Sequence, residues 1–184
     1  MPLKKIFIIS FLLIIIPLSI SHAQDQYLIG SGDVLDIYVW KDEALTRQVL
    51  VPPDGVVSFP LIGEKKATGL TVSELEKVFA EGLSKYLSDT PVTVSLHAAN
   101  SLTAYVIGKV NKPGQFPITL DTNVMQALSM AGGLGTFADS KKIIVLRQEE
   151  GRNIKLNFNF DEVKKGDNLE QNIMLKRGDV IVVP

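Results

Sequence analysis

The sequence predicts an α+β protein built from two consecutive units, and three observations lead there. Short runs rich in valine, isoleucine and aromatic residues recur between Gly, Pro and Asp turns, as strands do. Two other stretches space their apolar residues as one face of a helix. The chain contains no cysteine, which excludes disulfides, thiolate metal sites and a cysteine nucleophile, so the fold rests on apolar burial alone.

The first residues are an address rather than part of that fold. Lys4 and Lys5 precede an apolar run from Ile6 to Ile16, broken only by Ser10, and Pro17 ends it. Ser21-His22-Ala23 then places small residues three and one before Gln24, the pattern of a secretory signal spanning 1–23 and cleaved between Ala23 and Gln24. A permanent anchor is the weaker reading, because crossing a bilayer takes about 20 apolar residues and Pro17 interrupts this run. Losing Lys4 and Lys5 moves the formal charge from −1 to −3, and the remaining lysines and arginines are scattered, so no nucleic-acid partner is expected.

The first unit, 24–99, reads β-β-β-α-β. Gly30-Ser31-Gly32-Asp33 leads into a strand from Val34 to Trp40, and a second strand follows at Arg47 to Val51. Pro52-Pro53-Asp54-Gly55 is a turn, proline presetting φ and Gly55 accepting positive φ, after which Val56 to Pro60 is expected back as the hairpin partner. Thr71 and Glu74 form a capping box for a helix whose apolar stripe is Leu75, Val78, Phe79, Gly82, Leu83 and Tyr86. Asp89-Thr90-Pro91 stops it, and Val92 to Ala98 alternates as a strand.

The second unit, 100–184, reads as a β-grasp around one helix. Thr103 to Gly108 is a strand, Lys112-Pro113-Gly114 a type II turn with Gly114 at the positive-φ position, and Gln115 to Ile118 the returning strand. Val124, Leu128 and Ala131 mark a helix ended by Gly132-Gly133 in a left-handed cap. Ile143 to Arg147 and Ile154 to Phe158 are strands around a Glu149-to-Arg152 turn, Asp161 to Lys165 is a helical turn, and Gly178-Asp179 opens a closing strand. Gly32-Asp33-Val34 and Gly178-Asp179-Val180 echo one another.

These motifs, in order, resemble a known family. Gly32-Asp33-Val34-Leu35, Pro53-Asp54-Gly55, Phe59-Pro60-Leu61-Ile62-Gly63, Gly69-Leu70-Thr71 and Pro91-Val92-Thr93-Val94 are similar to the polysaccharide biosynthesis and export domain of Wza-type outer-membrane export proteins. Tyr105 to Gly108, Pro113-Gly114, Ala131-Gly132-Gly133 and Gly178-Asp179 to Pro184 resemble the soluble-ligand-binding β-grasp (SLBB) domain that follows it. The resemblance implies a homo-oligomeric ring in the periplasm around a polar passage for a capsular or exopolysaccharide chain, with an inner-membrane copolymerase below. It implies neither an enzyme nor a cofactor, and it makes the glycines, prolines and aspartates named above structural turns. Better-known members carry a lipidated cysteine where Gln24 stands and a C-terminal helix that this sequence lacks. The expectation is a short member held at the outer membrane of a Gram-negative bacterium through a separate β-barrel protein.

Sharper chemical readings are weaker. Ala131 to Gly135 follows a helix end, whereas a phosphate cradle precedes a helix start. His97, the one histidine after cleavage, receives no role. Asp33 and Asp179 are the pair nominated for glycoside cleavage, yet aspartate just after a turn glycine usually answers backbone N–H groups. Tyr38, Trp40 and Tyr105 could stack on sugar rings, although core packing accounts for most strand aromatics. The rival to an export component is a monomeric periplasmic protein that binds or degrades polysaccharide.

Overall fold

The computed structural model describes residues 26–87, 91–149 and 151–184. The expected cleavage at Ala23 and Gln24, the helix stop at Asp89-Thr90 and Glu150 of the hairpin turn lie outside the described residues.

Strands β1 (Val34–Val39), β2 (Arg47–Leu50) and β5 (Val92–Ala98) form an antiparallel sheet in the order β2-β1-β5. Alternation along β1 sends Leu35, Ile37 and Val39 into the core. Helix α1 (Val72–Leu83) covers that side with Leu75, Phe79 and Leu83, and Phe79 meets Phe59 edge-on at 4.9 Å between ring centres. Both halves of the predicted capping box form, Thr71 accepting from the Glu74 N–H while Glu74 accepts from the Thr71 N–H. Tyr86 leaves the predicted stripe, because the helix ends at Leu83 and the chain beyond it exposes the ring.

The predicted pairing of β2 with the Val56 strand is corrected. Strand β3 (Val56–Phe59) pairs instead with β4 (Gly63–Lys66), a strand the sequence did not announce, and β2 pairs with β1 from Val34↔Leu50 to Ile37↔Arg47. Gly-Glu-Lys-Lys lacks the β-branched content that marks a strand, and the tight reversal over Pro60 to Ile62 creates it locally.

The second unit is a five-stranded sheet in the order β7-β6-β10-β8-β9, from β6 (Thr103–Gly108), β7 (Gly114–Pro117), β8 (Ile143–Glu149), β9 (Arg152–Phe158) and β10 (Val180–Val183). β10 lies at its centre, parallel to β6 and antiparallel to β8. Helix α2 (Val124–Met130) covers the core side with Val124, Ala127 and Leu128. Its end is a Schellman closure: the Gly133 N–H reaches Leu128 O and the Gly132 N–H reaches Ser129 O, with φ of 82° and 75°. Helix α3 (Phe160–Lys165) stands where the helical turn was expected.

The type II turn at Pro113-Gly114 is also corrected. Gly114 does not take positive φ; it opens β7 opposite Val106, and Gly108 carries the left-handed backbone of this connection at φ 91°. A Cβ on Gly108 would strike the Val183 carbonyl, so the residue is glycine for close approach as well as for φ.

Each unit has its own apolar core, one around Leu35, Phe59, Leu75 and Phe79, the other around Val106, Leu128, Ile143, Phe158 and Ile181.

Candidate functional site

The Gly-Asp echo is a repeated piece of construction. Gly32 and Gly178 take φ of 95° and 81°, and each following aspartate is buried. Asp33 Oδ2 accepts the Gly30 N–H at 2.7 Å, and Asp179 Oδ2 accepts the Lys176 N–H at 2.8 Å, each reaching three residues back. Pro53, Asp54 and Gly55 form the turn before β3, where Asp54 accepts the Val56 N–H at 3.0 Å and Gly55 takes φ 76°. Gly63, at φ 67°, begins β4.

The two Gly-Asp turns meet where the units join. Asp33 Oδ1 accepts the Ser101 N–H at 2.8 Å and Oδ2 the Tyr27 hydroxyl at 2.5 Å. Arg177, just before the second turn, donates to Leu28 O at 2.6 Å and lies 5.7 Å from the Tyr27 ring centre. A Cβ on Gly30 would collide with the Arg177 guanidinium and the Ser101 hydroxyl, so this glycine admits the second unit to the first. Burial pushes the Asp33 carboxyl up, but the bonds from Tyr27, Gly30 and Ser101 outweigh that and hold it below the usual carboxylate range. Burial first, and the bond to Asp33 second, push the Tyr27 phenol up to about 12.

Asp179 has a further partner that the sequence reading missed. Arg147 donates through Nε to Oδ1 at 3.0 Å and through Nη2 to Oδ2 at 2.6 Å, and Nη2 also reaches Met174 O at 2.7 Å. The pair is almost fully buried. The signal was present in the alternation: Arg147 follows Ile143 and Val145 on the core side of β8 and therefore needs a buried anion. Both aspartates nominated for glycoside chemistry thus spend their oxygens on neighbours. Neither is placed to serve as a free acid or base.

Among the described residues two sheet faces remain open, and they differ in chemistry. On the five-stranded sheet, Tyr105, Val180 and Leu146 form one row across β6, β10 and β8, and Ile107, Val182 and Ile144 form the next. Gln115 on β7 and Lys155 and Asn157 on β9 flank this apolar block in register. On the three-stranded sheet the open side is polar and aromatic. Gln48, Asp36 and Ser95 share a row, Tyr38 pairs with Thr93, and Trp40 follows on the same side. Core packing does not account for the strand aromatics, which corrects the expectation: Tyr38, Trp40 and Tyr105 are 47%, 51% and 39% exposed. Alternation with the buried Leu35, Ile37 and Val39 was the sequence signal that Tyr38 and Trp40 face outward. His97 follows Thr93 and Ser95 on this side, at a register shift opposite Val34 and Leu35, with its Nδ1 3.0 Å from Asp36 and 3.2 Å from the Gln48 amide.

Among the described residues there is no cluster of three potential metal ligands, and no helix is long and apolar enough to cross a membrane.

Comparison with known proteins decides the family. The model described as "Polysaccharide biosynthesis/export protein" matches residues 21–97, and that of the SLBB domain matches residues 102–183. The chain belongs to the polysaccharide biosynthesis/export family. Within that family it is 27% identical to the EPS I polysaccharide export outer membrane protein EpsA of Ralstonia nicotianae over 182 residues, covering 85% of this chain and 47% of the relative. It is 26% identical to the capsule polysaccharide export outer membrane protein CtrA of Neisseria meningitidis over 172 residues, covering 83% of this chain and 43% of the relative. The polysialic acid transport protein KpsD of Escherichia coli is 26% identical over 136 residues, covering 73% of this chain and 24% of the relative. The chain therefore spans half or less of the length of these family members.

Proposed function

We propose that this chain is a non-enzymatic, ring-forming component of a polysaccharide export channel, working on the periplasmic side of the outer membrane of a Gram-negative bacterium. Family membership and the export or transport role named for each relative support the transport part. The assembly part is carried by one observation, the six-residue apolar block on the five-stranded sheet with polar residues on both flanks. An apolar centre inside a polar rim is how a subunit contact is built, and an open patch of this kind is unfavourable in water. Around a closed ring the contact is heterologous, the block of one copy meeting a different surface of the next.

Its partners on this reading are further copies of itself, an inner-membrane copolymerase that feeds the polymer, an outer-membrane β-barrel protein and the polysaccharide. The same proposal includes the secretory signal at 1–23 and a division into units 24–99 and 100–184, with the polar joint Ala99 to Ser101 between the two apolar cores.

Electron microscopy of the purified protein, alone and with its membrane partners, tests the assembly. Rings are expected, and Ile107→Glu combined with Leu146→Glu is expected to return the chain to monomers without unfolding it. Deleting the gene is expected to remove one polysaccharide from the cell surface. A stable monomer that binds or shortens the polymer would replace this reading with that of a polysaccharide-binding or degrading protein.

A further inference from the structure

We propose that the open face of the three-stranded sheet is a glycan-contact site, with Trp40 and Tyr38 stacking against pyranose rings of the moving polymer and Gln48, Asp36 and His97 meeting their hydroxyls. The inference rests on the export reading and adds to it the surface that touches cargo.

The first support is the shape of the aromatic pair. The Tyr38 and Trp40 rings stand 6.4 Å apart at 75° to one another, half exposed, on the side of β1 away from the core. Two rings at a right angle make a corner. One offers its flat face to the apolar C–H side of a sugar, and the other borders the ring edge with a hydroxyl or an indole N–H nearby. Shallow hollows of about 240 Å³ and 320 Å³ lie on either side of Tyr38, one walled by Trp40, Asp42 and Glu43, the other by Asp36, Arg47 and Gln48.

The second support is that the backbone bearing the corner is held in place before any ligand arrives. The Trp40 backbone N–H donates to Pro91 O at 2.9 Å, and the Thr46 hydroxyl accepts the Val39 N–H at 3.1 Å while donating to Asp42 O at 3.0 Å. Lys41 occupies left-handed backbone at φ 58°, a costly conformation for a residue with a side chain, and turns the chain sharply just beyond Trp40. Its ammonium lies 5.9 Å from the Trp40 ring centre. The backbone that carries both rings is therefore set in advance, and an aromatic side chain has only two torsions left to order on binding.

The third support is the contrast between the two open faces. A sugar carries hydroxyls around its rim, and each one desolvated without a partner costs binding energy. The apolar block offers only the Tyr105 hydroxyl, whereas the face beside Trp40 presents a carboxylate, an amide, an imidazole and the hydroxyls of Thr93 and Ser95. Alternation along β5 places the imidazole of His97 on this same face, after Thr93 and Ser95. One face suits another copy of the chain, and the other suits glycan.

Trp40 is the sole tryptophan of the chain, so its fluorescence reports on this site alone. The probe is the polysaccharide that gene deletion removes from the cell surface, partially hydrolysed to short oligosaccharides and titrated into the purified protein. A saturable change in Trp40 emission is expected, with a dissociation constant on the order of 0.1–10 mM, weak enough for a polymer to slide. Tyr38→Ser is expected to weaken it roughly five- to tenfold, as losing one stacked ring should, and Gln48→Ala roughly two- to fivefold, with unchanged far-ultraviolet dichroism. If deletion removes no polysaccharide, the export reading itself has failed. If deletion removes one and its fragments leave Trp40 emission unchanged, the export reading stands and this site is refuted. Emission that responds to protein concentration but not to glycan would assign the face to a protein contact and also overturn the proposal.

Discussion

Replacing Asp33 by asparagine isolates the contribution of the carboxylate that ties the two units together. The side chain keeps its shape, but one oxygen becomes an amide that donates where a donor already stands. The gentler placement points the amide at the Ser101 N–H, leaving that buried donor unanswered at a cost of about 1–3 kcal/mol. The bonds from the Gly30 N–H and the Tyr27 hydroxyl persist but lose their charge assistance, each giving up on the order of 0.5–1 kcal/mol. The sum is about 2–5 kcal/mol. At roughly 2–4 °C per kcal/mol for a chain of this size, the thermal midpoint falls by about 10 °C. The pH dependence has a definite sign. Asp33 is held below the usual carboxylate range in the folded protein, so its stabilisation is present above that range and fades as pH falls through the lowered value. Thermal melts followed by circular dichroism should therefore show the widest gap between parent and Asp33→Asn at neutral pH, narrowing below about pH 4. A neutral-pH loss under about 1 kcal/mol, or a gap that does not narrow toward pH 2, would refute the reasoning.

Other substitutions follow from the same geometry. Arg147→Met leaves the buried Asp179 carboxylate without its cation and should cost about 3–5 kcal/mol in urea unfolding, only part of it recovered when Asp179→Leu is added, since the Lys176 N–H then loses its acceptor. Tyr27 is raised to about 12, so the stability it confers is intact below its ordinary value of 10 and is lost as pH rises through 12; Tyr27→Phe should flatten this part of an alkaline stability profile. Gly151→Ala meets only its positive φ of 75°, at about 1–2 kcal/mol, whereas Gly108→Ala adds the collision with Val183 and should lower the urea midpoint much further.

Local chemistry was the legible part of the fold. The capping box at Thr71 and Glu74 and the paired glycines after α2 are contained within a few residues, so the sequence alone announces them. Pairing over distance was less legible. Val56 to Phe59 pairs with a charged tetrapeptide that has no strand signature, and a proline-glycine pair reads as a tight turn until register places Gly114 in a strand. At the site, alternation already exposed Tyr38 and Trp40 and buried Arg147. Alternation along β5 likewise sets the face of His97, but the register shift opposite Val34 and Leu35 is a one-residue mismatch between strands far apart in sequence, which no local pattern encodes.

The central place of β10 has a consequence for the order in which the molecule is made. Until Val180 to Val183 emerge, β6-β7 and β8-β9 are two separate hairpins with a vacant slot between them, and neither can complete the sheet. The sheet of the second unit therefore cannot be completed until its last strand has been made. During that interval the slot presents two unpaired strand edges that would accept a valine-rich strand from another nascent copy, so a holding chaperone has its greatest value there.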